Sequence, residues 1–148
     1  MTNDDVEIIP LRIEDYDEAV GLWHAVEGLQ LRTVDSRDGI ARYLERNPGC
    51  SFAARVRGVL VGTALCGHDG RRGYLHHLAV APEHRRHGIA TALVERCRDA
   101  LERRGIAKCL AFVIADNMSG LSFWTRIGWE LRGDLAVVSV IRGADPNA

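Results

Sequence analysis

The chain has 148 residues, of which 47% are hydrophobic and 26% charged, and its formal net charge is -1 at pH 7. This length suits one domain over residues 1–148, and the balanced charge argues against a nucleic-acid binder that depends on electrostatic attraction. No apolar run reaches the roughly 20 residues of a membrane helix, and the acidic start is unlike a secretion signal, so a cytoplasmic protein with no membrane partner is expected.

The cysteines show no pair with the short spacing of a metal site: they are Cys50, Cys66, Cys97 and Cys109. We therefore predict reduced, mostly buried thiols and no metal site.

The first half of the chain predicts alternating helices and strands. A strand over Val6 to Pro10 precedes a helix with an acidic first turn that ends near Gly28. A linking segment leads to a second helix, which Asp35 or Ser36 caps and Asn47-Pro48-Gly49 ends. Short strands are then predicted over Phe52 to Val56 and Leu60 to Cys66.

The stretch from Tyr74 to Gly105 dominates the pattern. It predicts a buried strand that Pro82 closes, followed by a polar loop and an amphipathic helix. The helix has an apolar stripe at helical spacing and a stop at Gly105; the stripe is Ile89, Leu93, Cys97 and Leu101.

Between this strand and helix lies a candidate anion site, Arg85 to Ala90. Backbone N–H groups at a helix start have no intrahelical partner and lie at the positive end of the helix dipole. Small residues at Gly88 and Ala90 leave that backbone uncovered, and Arg85 and Arg86 add positive charge. An ordinary strand-to-helix turn explains these six residues equally well, because short glycine-containing fragments are weak signals.

The last third predicts a dense apolar strand over Cys109 to Ala115, buried on both faces, and a short helix over Asn117 to Arg126. Two terminal strands, Trp129 to Arg132 and Leu135 to Ile141, are joined by a tight turn at Gly133-Asp134. Residues 143–148 are expected to fray.

Two blocks of this sequence resemble one family. Leu78 to Ala90 reads Leu-Ala-Val-x-Pro-x-x-Arg-Arg-x-Gly-Ile-Ala, which is similar to the acyl-CoA-binding motif of the GNAT N-acetyltransferases. Asn117 followed by Phe123 to Trp129 resembles the family's second block at the expected spacing. The resemblance implies an α/β (α+β) fold with a mixed, central splayed β-sheet flanked by helices, and acetyl-CoA as cofactor.

The resemblance also implies where coenzyme A would bind. Backbone groups of the strand would hold the pantetheine and thioester, the loop and helix start would hold the diphosphate, and two later side chains would help. The implied cofactor-binding residues are Leu78, Ala79, Val80, Arg85, Arg86, His87, Gly88, Ile89, Ala90, Asn117 and Trp124. For the side chains of Leu78 and Val80 ordinary core packing is the favoured interpretation, and the implied cofactor role belongs to their backbone groups.

Two adjacent histidines are candidates for proton transfer. His76 and His77 point to opposite faces of a strand, so one faces the cleft and they cannot chelate one metal together. An imidazole with a pKa near 6.5 can take a proton from an ammonium. Tyr74 to Val80 also resembles the strand motif of one member of the family, which has a histidine at the place of His76, and this resemblance implies that His76 is the candidate general base. A structural histidine is the alternative.

The reaction also requires a group that protonates the leaving thiolate. Trp124 occupies the place of the family's usual tyrosine, and an indole N–H is too weak an acid to replace it. The alternatives for that role are Tyr74, Tyr43 or an ordered water, or departure of the unprotonated thiolate, which solvent then neutralises.

The resemblance implies direct transfer of an acetyl group in a ternary complex to a primary amine of a small molecule or protein. An acyl-CoA sensor without efficient turnover is the alternative, which Trp124 favours. A nucleotide-binding Rossmann unit is disfavoured because the glycine signature is incomplete. A small acceptor is slightly favoured, with contacts from the Val26 to Asp35 segment (Glu27, Gln30, Arg32 and Asp35), although these are equally consistent with solvated loop residues. Monomer and homodimer both remain open.

Overall fold

The computed structural model describes residues 5–148 and contains one five-stranded sheet. In chain order the elements are β1 (Val6–Pro10), α1 (Tyr16–Ala25), α2 (Arg37–Arg46), β2 (Phe52–Val56), β3 (Val59–His68), β4 (Gly73–Val80), α3 (Ile89–Glu102), β5 (Cys109–Ala111) and α4 (Met118–Arg126). The first four strands pair antiparallel in sequence order, and β5 joins β4 in parallel. The predicted mixed sheet flanked by helices is confirmed.

The longest helix, α3, packs against the sheet and supplies much of the core. Leu93, Val94 and Cys97 are fully buried on its inner stripe, as the helical spacing predicts. Gly73 lets the start of β4 approach α3, because a Cβ there would lie 2.4 Å from a methyl carbon of Leu101. The helix therefore packs closely against the central strands, as one layer upon another.

The structure shows which of the two predicted residues caps the second helix. The Ser36 hydroxyl accepts a hydrogen bond from the Gly39 N–H at 3.1 Å, so Ser36 is the N-cap of α2. Asp35 has a different role in the site.

The dense apolar strand is shorter than predicted. It ends at Ala111, and Phe112 beyond it is 59% exposed. The prediction of a strand to Ala115 buried on both faces was wrong because β5 has a partner strand on one side only and leaves that partner after three pairs. A strand persists only where a neighbouring edge takes its backbone hydrogen bonds.

The two predicted terminal strands are also absent from the sheet over the described residues. The turn at residues 133–134 forms, but the flanking segments have no strand partner. Val138 and Val140 are 93% and 94% exposed, so no packed face covers the alternating apolar pattern. The pattern satisfies the side-chain preference of a strand but not its need for an adjacent backbone.

The chain end lies against the α1–α2 connection instead of fraying. The Thr33 N–H donates to the carbonyl of Asn147 at 2.9 Å, and the Thr33 hydroxyl donates to the carboxylate of Asp145 at 2.6 Å. The prediction of a frayed end rested on the position of these residues at the terminus, which carries no signal for contacts more than 100 residues apart in sequence.

Within residues 5–148, every helix falls short of the length and apolar character that a bilayer crossing demands. The same part of the chain holds no group of three side chains suited to a metal ion. All four cysteines are free; Cys50, Cys66 and Cys97 are buried and Cys109 is partly buried.

Candidate functional site

A cleft opens where β4 and β5 separate. The two strands pair only from Gly73 to Leu75 with Cys109 to Ala111, after which their backbones diverge. The cleft has a volume of about 950 Å³. It is lined by residues 75–80 of β4, by residues 111–114 at and after the end of β5, by one face of α4, and by the α1–α2 connection. This is the splayed sheet that the family resemblance implied.

A bulge in β4 lies at the centre of the cleft. Thr63 pairs with Ala79 and Leu65 pairs with His76, so one residue of β3 faces two residues of β4. The extra residue on β4 distorts the ladder at His77, whose φ of +48° is unusual for a residue other than glycine. Such strain persists only where surrounding contacts fix it.

Buried hydrogen bonds hold the bulge in place. The indole N–H of Trp23 donates to the Thr63 hydroxyl at 2.8 Å, and that hydroxyl donates to the carbonyl of His77 at 2.9 Å. Trp23 and Thr63 are both fully buried. The bulge is therefore tied to the core by groups that cannot be lost without leaving buried polar atoms unpaired.

The start of α3 has the geometry expected of an anion cradle. Gly88 is its N-cap with a φ of +75°, and Arg86 also has a positive φ of 67°. A Cβ at Gly88 would meet no atom within 4 Å, and the first turn carries no acidic residue. Backbone N–H groups in such alternating conformations at a helix N-terminus favour bound anions.

The side chains of the cradle differ in position. Arg85 lines the cleft, and its Nε donates to the Val80 carbonyl at 3.3 Å. Arg86 is exposed and His87 partly exposed, and neither belongs to the cleft lining. Among the predicted cofactor residues, the cleft lining brings together Leu78, Ala79, Val80, Arg85, Asn117 and Trp124.

Asn117 and Trp124 enter the cleft from α4. The Asn117 carbonyl oxygen accepts from the Gly120 N–H at 3.0 Å and thereby caps the helix. Its amide nitrogen faces the α1–α2 connection, since a Cβ on Gly28 would lie 3.2 Å from it. Trp124 packs against Phe123 and Trp129, with ring centroids 5.2 and 4.4 Å apart.

His76 lies among aromatic rings on the β4 side of the cleft. Its ring stacks near Phe112 at 6.2 Å between centroids and meets the edge of Tyr43 at 6.3 Å. Burial, and secondarily the neighbouring His77, lower the pKa of His76 below its ordinary value of 6.5. His76 is therefore neutral at pH 7 and able to accept a proton.

The tyrosines proposed as acids lie elsewhere. Tyr74 stacks on Phe112, but its hydroxyl points to Asp69 at 3.5 Å and the residue is outside the cleft lining. The Tyr43 hydroxyl is buried next to Gly67, and burial raises the pKa of Tyr43 well above its ordinary value. The structure thus brings neither hydroxyl to the cleft.

The segment of residues 26–35, for which the sequence predicted acceptor contacts and which we call the acceptor wall, supplies part of the cleft lining together with His76 and His77. Glu27, Gln30 and Arg32 line the cleft from this wall, and the Arg32 guanidinium donates to the Gln30 side chain at 3.1 Å. Asp35 is buried and does not line the cleft. The interpretation of Asp35 as an acceptor contact is therefore wrong, because its carboxylate is used inside the protein.

Sequence reasoning missed a hydrogen-bonded pair of side chains that joins this wall to the bulge. The Nε2 atom of His77 lies 2.7 Å from the Oδ1 atom of Asp35, and both side chains are largely buried. Burial by itself raises the pKa of Asp35, but hydrogen bonds from His77 and the Arg32 N–H outweigh it, so the net pKa lies below the ordinary value. No spacing signal could have found a pair 42 residues apart in sequence.

The splayed sheet, the bulged strand and the glycine-capped helix together define the acyl-CoA N-acyltransferase class. The model of the Acetyltransferase (GNAT) family matches residues 14–129. This chain belongs to the GNAT family of acetyltransferases, whose acyl donor is acetyl-CoA, so the predicted family and enzyme class are confirmed.

The comparisons with individual proteins agree. A curated relative, acetyltransferase plu1384 of Photorhabdus laumondii, is 35% identical over 133 residues, which is 90% of this chain and 92% of the relative. The solved structure of AAC(6')-Iy with a CoA-containing bisubstrate analog has a TM-score of 0.74 at 18% identity, covering 94% of this chain and 99% of that one. The Escherichia coli ribosomal-protein-S18-alanine N-acetyltransferase has a TM-score of 0.69 at 24% identity, covering 83% and 76%. At these identities the two structures support the fold alone.

Proposed function

We propose that the cleft binds acetyl-CoA and delivers its acetyl group directly to a primary amine bound at the acceptor wall. The observation that carries this proposal is the separation of β4 from β5 directly beside the open N-terminus of α3. One feature supplies a groove for an extended arm, and the other supplies donors for its diphosphate. The strand β4, which forms one side of the groove, and the start of α3 are joined by one short connection, residues 81–88.

The proposed contacts follow the geometry of that segment. Backbone N–H groups of Gly88, Ile89 and Ala90 hold the diphosphate, with Arg85, Arg86 and His87 adding positive or polar contacts around it. Backbone groups of Leu78, Ala79 and Val80 face the pantetheine and thioester, because β4 pairs with β5 only as far as Leu75 and its edge beyond that point has no partner strand on the β5 side. Asn117 and Trp124 cover the arm from α4.

His76 is the proposed general base. Bound acetyl-CoA supplies an electrophilic thioester carbonyl. The neutral imidazole of His76 takes one proton from the acceptor ammonium, which leaves a lone pair for attack on that carbonyl. The C–N bond then forms, the C–S bond breaks, and the second amine proton is lost to solvent while the thiolate gains one.

The source of the thiolate's proton separates two candidate functions. Trp124 lacks a suitable proton, and the hydroxyls of Tyr74 and Tyr43 lie outside the cleft lining. Water is therefore the proposed acid, and Tyr74 contributes through its stack on Phe112. The same observation favours an acyl-CoA sensor with low turnover as the second candidate.

A small amine or amino-acid-like metabolite is the proposed acceptor class, with a protein amine as the alternative. Glu27 and Arg32 place one negative and one positive group on the acceptor wall, which suits a molecule carrying both an ammonium and a carboxylate. Nucleic acid and membrane are not proposed as partners. A monomer or a homodimer is compatible with this site.

The experiment combines a thiol-release assay with calorimetry. Acetyl-CoA is supplied with polyamines, amino acids and short peptides that have free α-amino groups, and acetyl-CoA binding is measured on the same protein. Release with small amines supports the proposal. Turnover of peptides alone contradicts the small-acceptor part, and binding without release for any amine supports the sensor.

A further inference from the structure

Both carboxylate oxygens and the backbone carbonyl of Asp35 form hydrogen bonds that hold the acceptor wall in place. Its Oδ2 atom accepts from the Arg32 N–H at 2.8 Å, and its Oδ1 atom pairs with His77 at 2.7 Å. Its carbonyl accepts from the Tyr16 hydroxyl at 2.6 Å. An acidic residue buried to this degree is normally paired, and here the partner is a residue of β4, 42 positions away in sequence.

His77 is itself held from two directions. Its ring lies 4.8 Å from the Trp23 ring, and its carbonyl accepts from Thr63 in the core. Because the Asp35 carboxylate accepts at Nε2, a neutral His77 carries its proton on that nitrogen. The pair therefore joins a fixed point of β4 to the C-terminal end of the acceptor wall.

From this juxtaposition we infer that Asp35 and His77 form a clamp that positions the acceptor wall and thereby sets the affinity for the amine. The inference rests on the proposed function, because it takes residues 26–35 as the acceptor side. Both clamp residues are positioning residues, since their polar atoms face each other and leave Glu27 and Arg32 to contact the amine.

The clamp should act on the amine more than on acetyl-CoA. The cradle is formed by residues 85–90 and the start of α3, and neither clamp residue belongs to it. Releasing Asp35 frees the wall at the end nearest Arg32, whose N–H shares the carboxylate. A freer wall binds the acceptor less tightly because ordering it then has an entropic cost.

The test measures amine KM, kcat and acetyl-CoA affinity for Asp35→Ala, Asp35→Asn, His77→Asn and the double variant that combines Asp35→Ala with His77→Asn. Asparagine tolerates the positive φ at position 77 but is too short to replace the imidazole contact. Asp38→Asn and His24→Asn are matched controls, because both residues are exposed and lie on α2 and α1 close to the clamp in sequence.

We expect Asp35→Ala to raise the amine KM by about tenfold to a hundredfold, the scale of one hydrogen bond to a charged group. Acetyl-CoA affinity stays within about twofold, Asp35→Asn is intermediate, and the double variant is no worse than the larger single loss. An unchanged KM, or a loss of thermal stability with no change in KM, overturns the clamp.

Hydrogen exchange separates a failure of the clamp from a failure of the proposed function. In Asp35→Ala, the amides of residues 27–35 should exchange faster while those of β3 keep their wild-type rates. Unchanged exchange in the wall overturns the clamp even in an active enzyme. A wild-type protein that turns over no amine contradicts the proposed function, and the exchange result still decides whether the wall is clamped.

Discussion

Replacement of Gly88 by glutamate tests the cradle most sharply. The position has a φ of +75°, and a Cβ added there would meet no atom within 4 Å, so the substitution causes no clash at Cβ. The left-handed backbone costs about 1 to 2 kcal/mol of folding free energy for a residue with a Cβ. The domain should therefore still fold.

The expected loss of acetyl-CoA affinity comes from charge. A carboxylate about 5 Å from one phosphate charge is repelled by about 3 kcal/mol at an effective dielectric constant of about 20. This repulsion corresponds to a loss of affinity of roughly a hundredfold. Titration calorimetry with acetyl-CoA measures the loss directly.

Two control variants isolate this effect. Gly88→Gln has the same strain and nearly the same bulk without the charge, and should lose about tenfold or less. Gly58→Glu carries the same substitution in an exposed turn with a φ of +81°, and should keep wild-type affinity. Equal affinities for a folded Gly88→Glu protein and the wild type would refute the assignment of the cradle.

Three further predictions address the base, the bulge and the buried carboxylate. His76→Ala should lower the acetyl-transfer rate at pH 7 by about 10²- to 10⁴-fold, with recovery at high pH. In the wild type, the fall of the rate on the acid side of the pH–rate profile should have its midpoint below 6.5. A variant profile identical to wild type means that His76 has a structural role. Thr63→Val should cost about 2 to 6 kcal/mol in urea denaturation, because the Trp23 N–H and the His77 carbonyl both lose their partner, whereas Thr125→Val in exposed α4 should change little; equal losses in the two variants contradict this account of the bulge. The lowered pKa of Asp35 adds stability that is present above the unfolded pKa of about 3.9 and is lost as the pH falls through the folded value. In Asp35→Asn the urea denaturation midpoint should therefore fall less steeply with decreasing pH below about pH 4 than in the wild type. The same pH dependence in both proteins contradicts the assignment.

Local sequence signals predicted the parts of the fold that depend on local structure. The apolar stripe and Gly105 predicted α3, and Gly88 and its neighbours predicted an uncovered helix start. The prediction of terminal strands was wrong because alternating apolar residues indicate only that the side chains suit a strand. They do not indicate which sheet edge would accept its backbone hydrogen bonds. That residues 1–148 form one domain stays a prediction.

The candidate site also has a part that local sequence predicts and a part that it does not. Leu78 to Val80 and Arg85 to Ala90 are contiguous, so a motif could locate them. The Asp35–His77 pair depends on a bulge and on a contact between distant segments, and neither has a spacing that a sequence displays. Adjacent residues on a regular strand point to opposite faces, but the bulge at His77 breaks that rule and lets both His76 and His77 line the cleft.

A crystal structure with acetyl-CoA bound tests the central claim most directly. The proposal predicts the diphosphate on the N–H groups of Gly88, Ile89 and Ala90, the pantetheine between β4 and β5, and the acetyl group beside Leu78 to Val80 on the side of His76. A second cleft of about 580 Å³ lies on the far side of β5, between α4 and residues 129–137. Acetyl-CoA bound there, with the α3 N-terminus in contact with solvent only, would contradict the account.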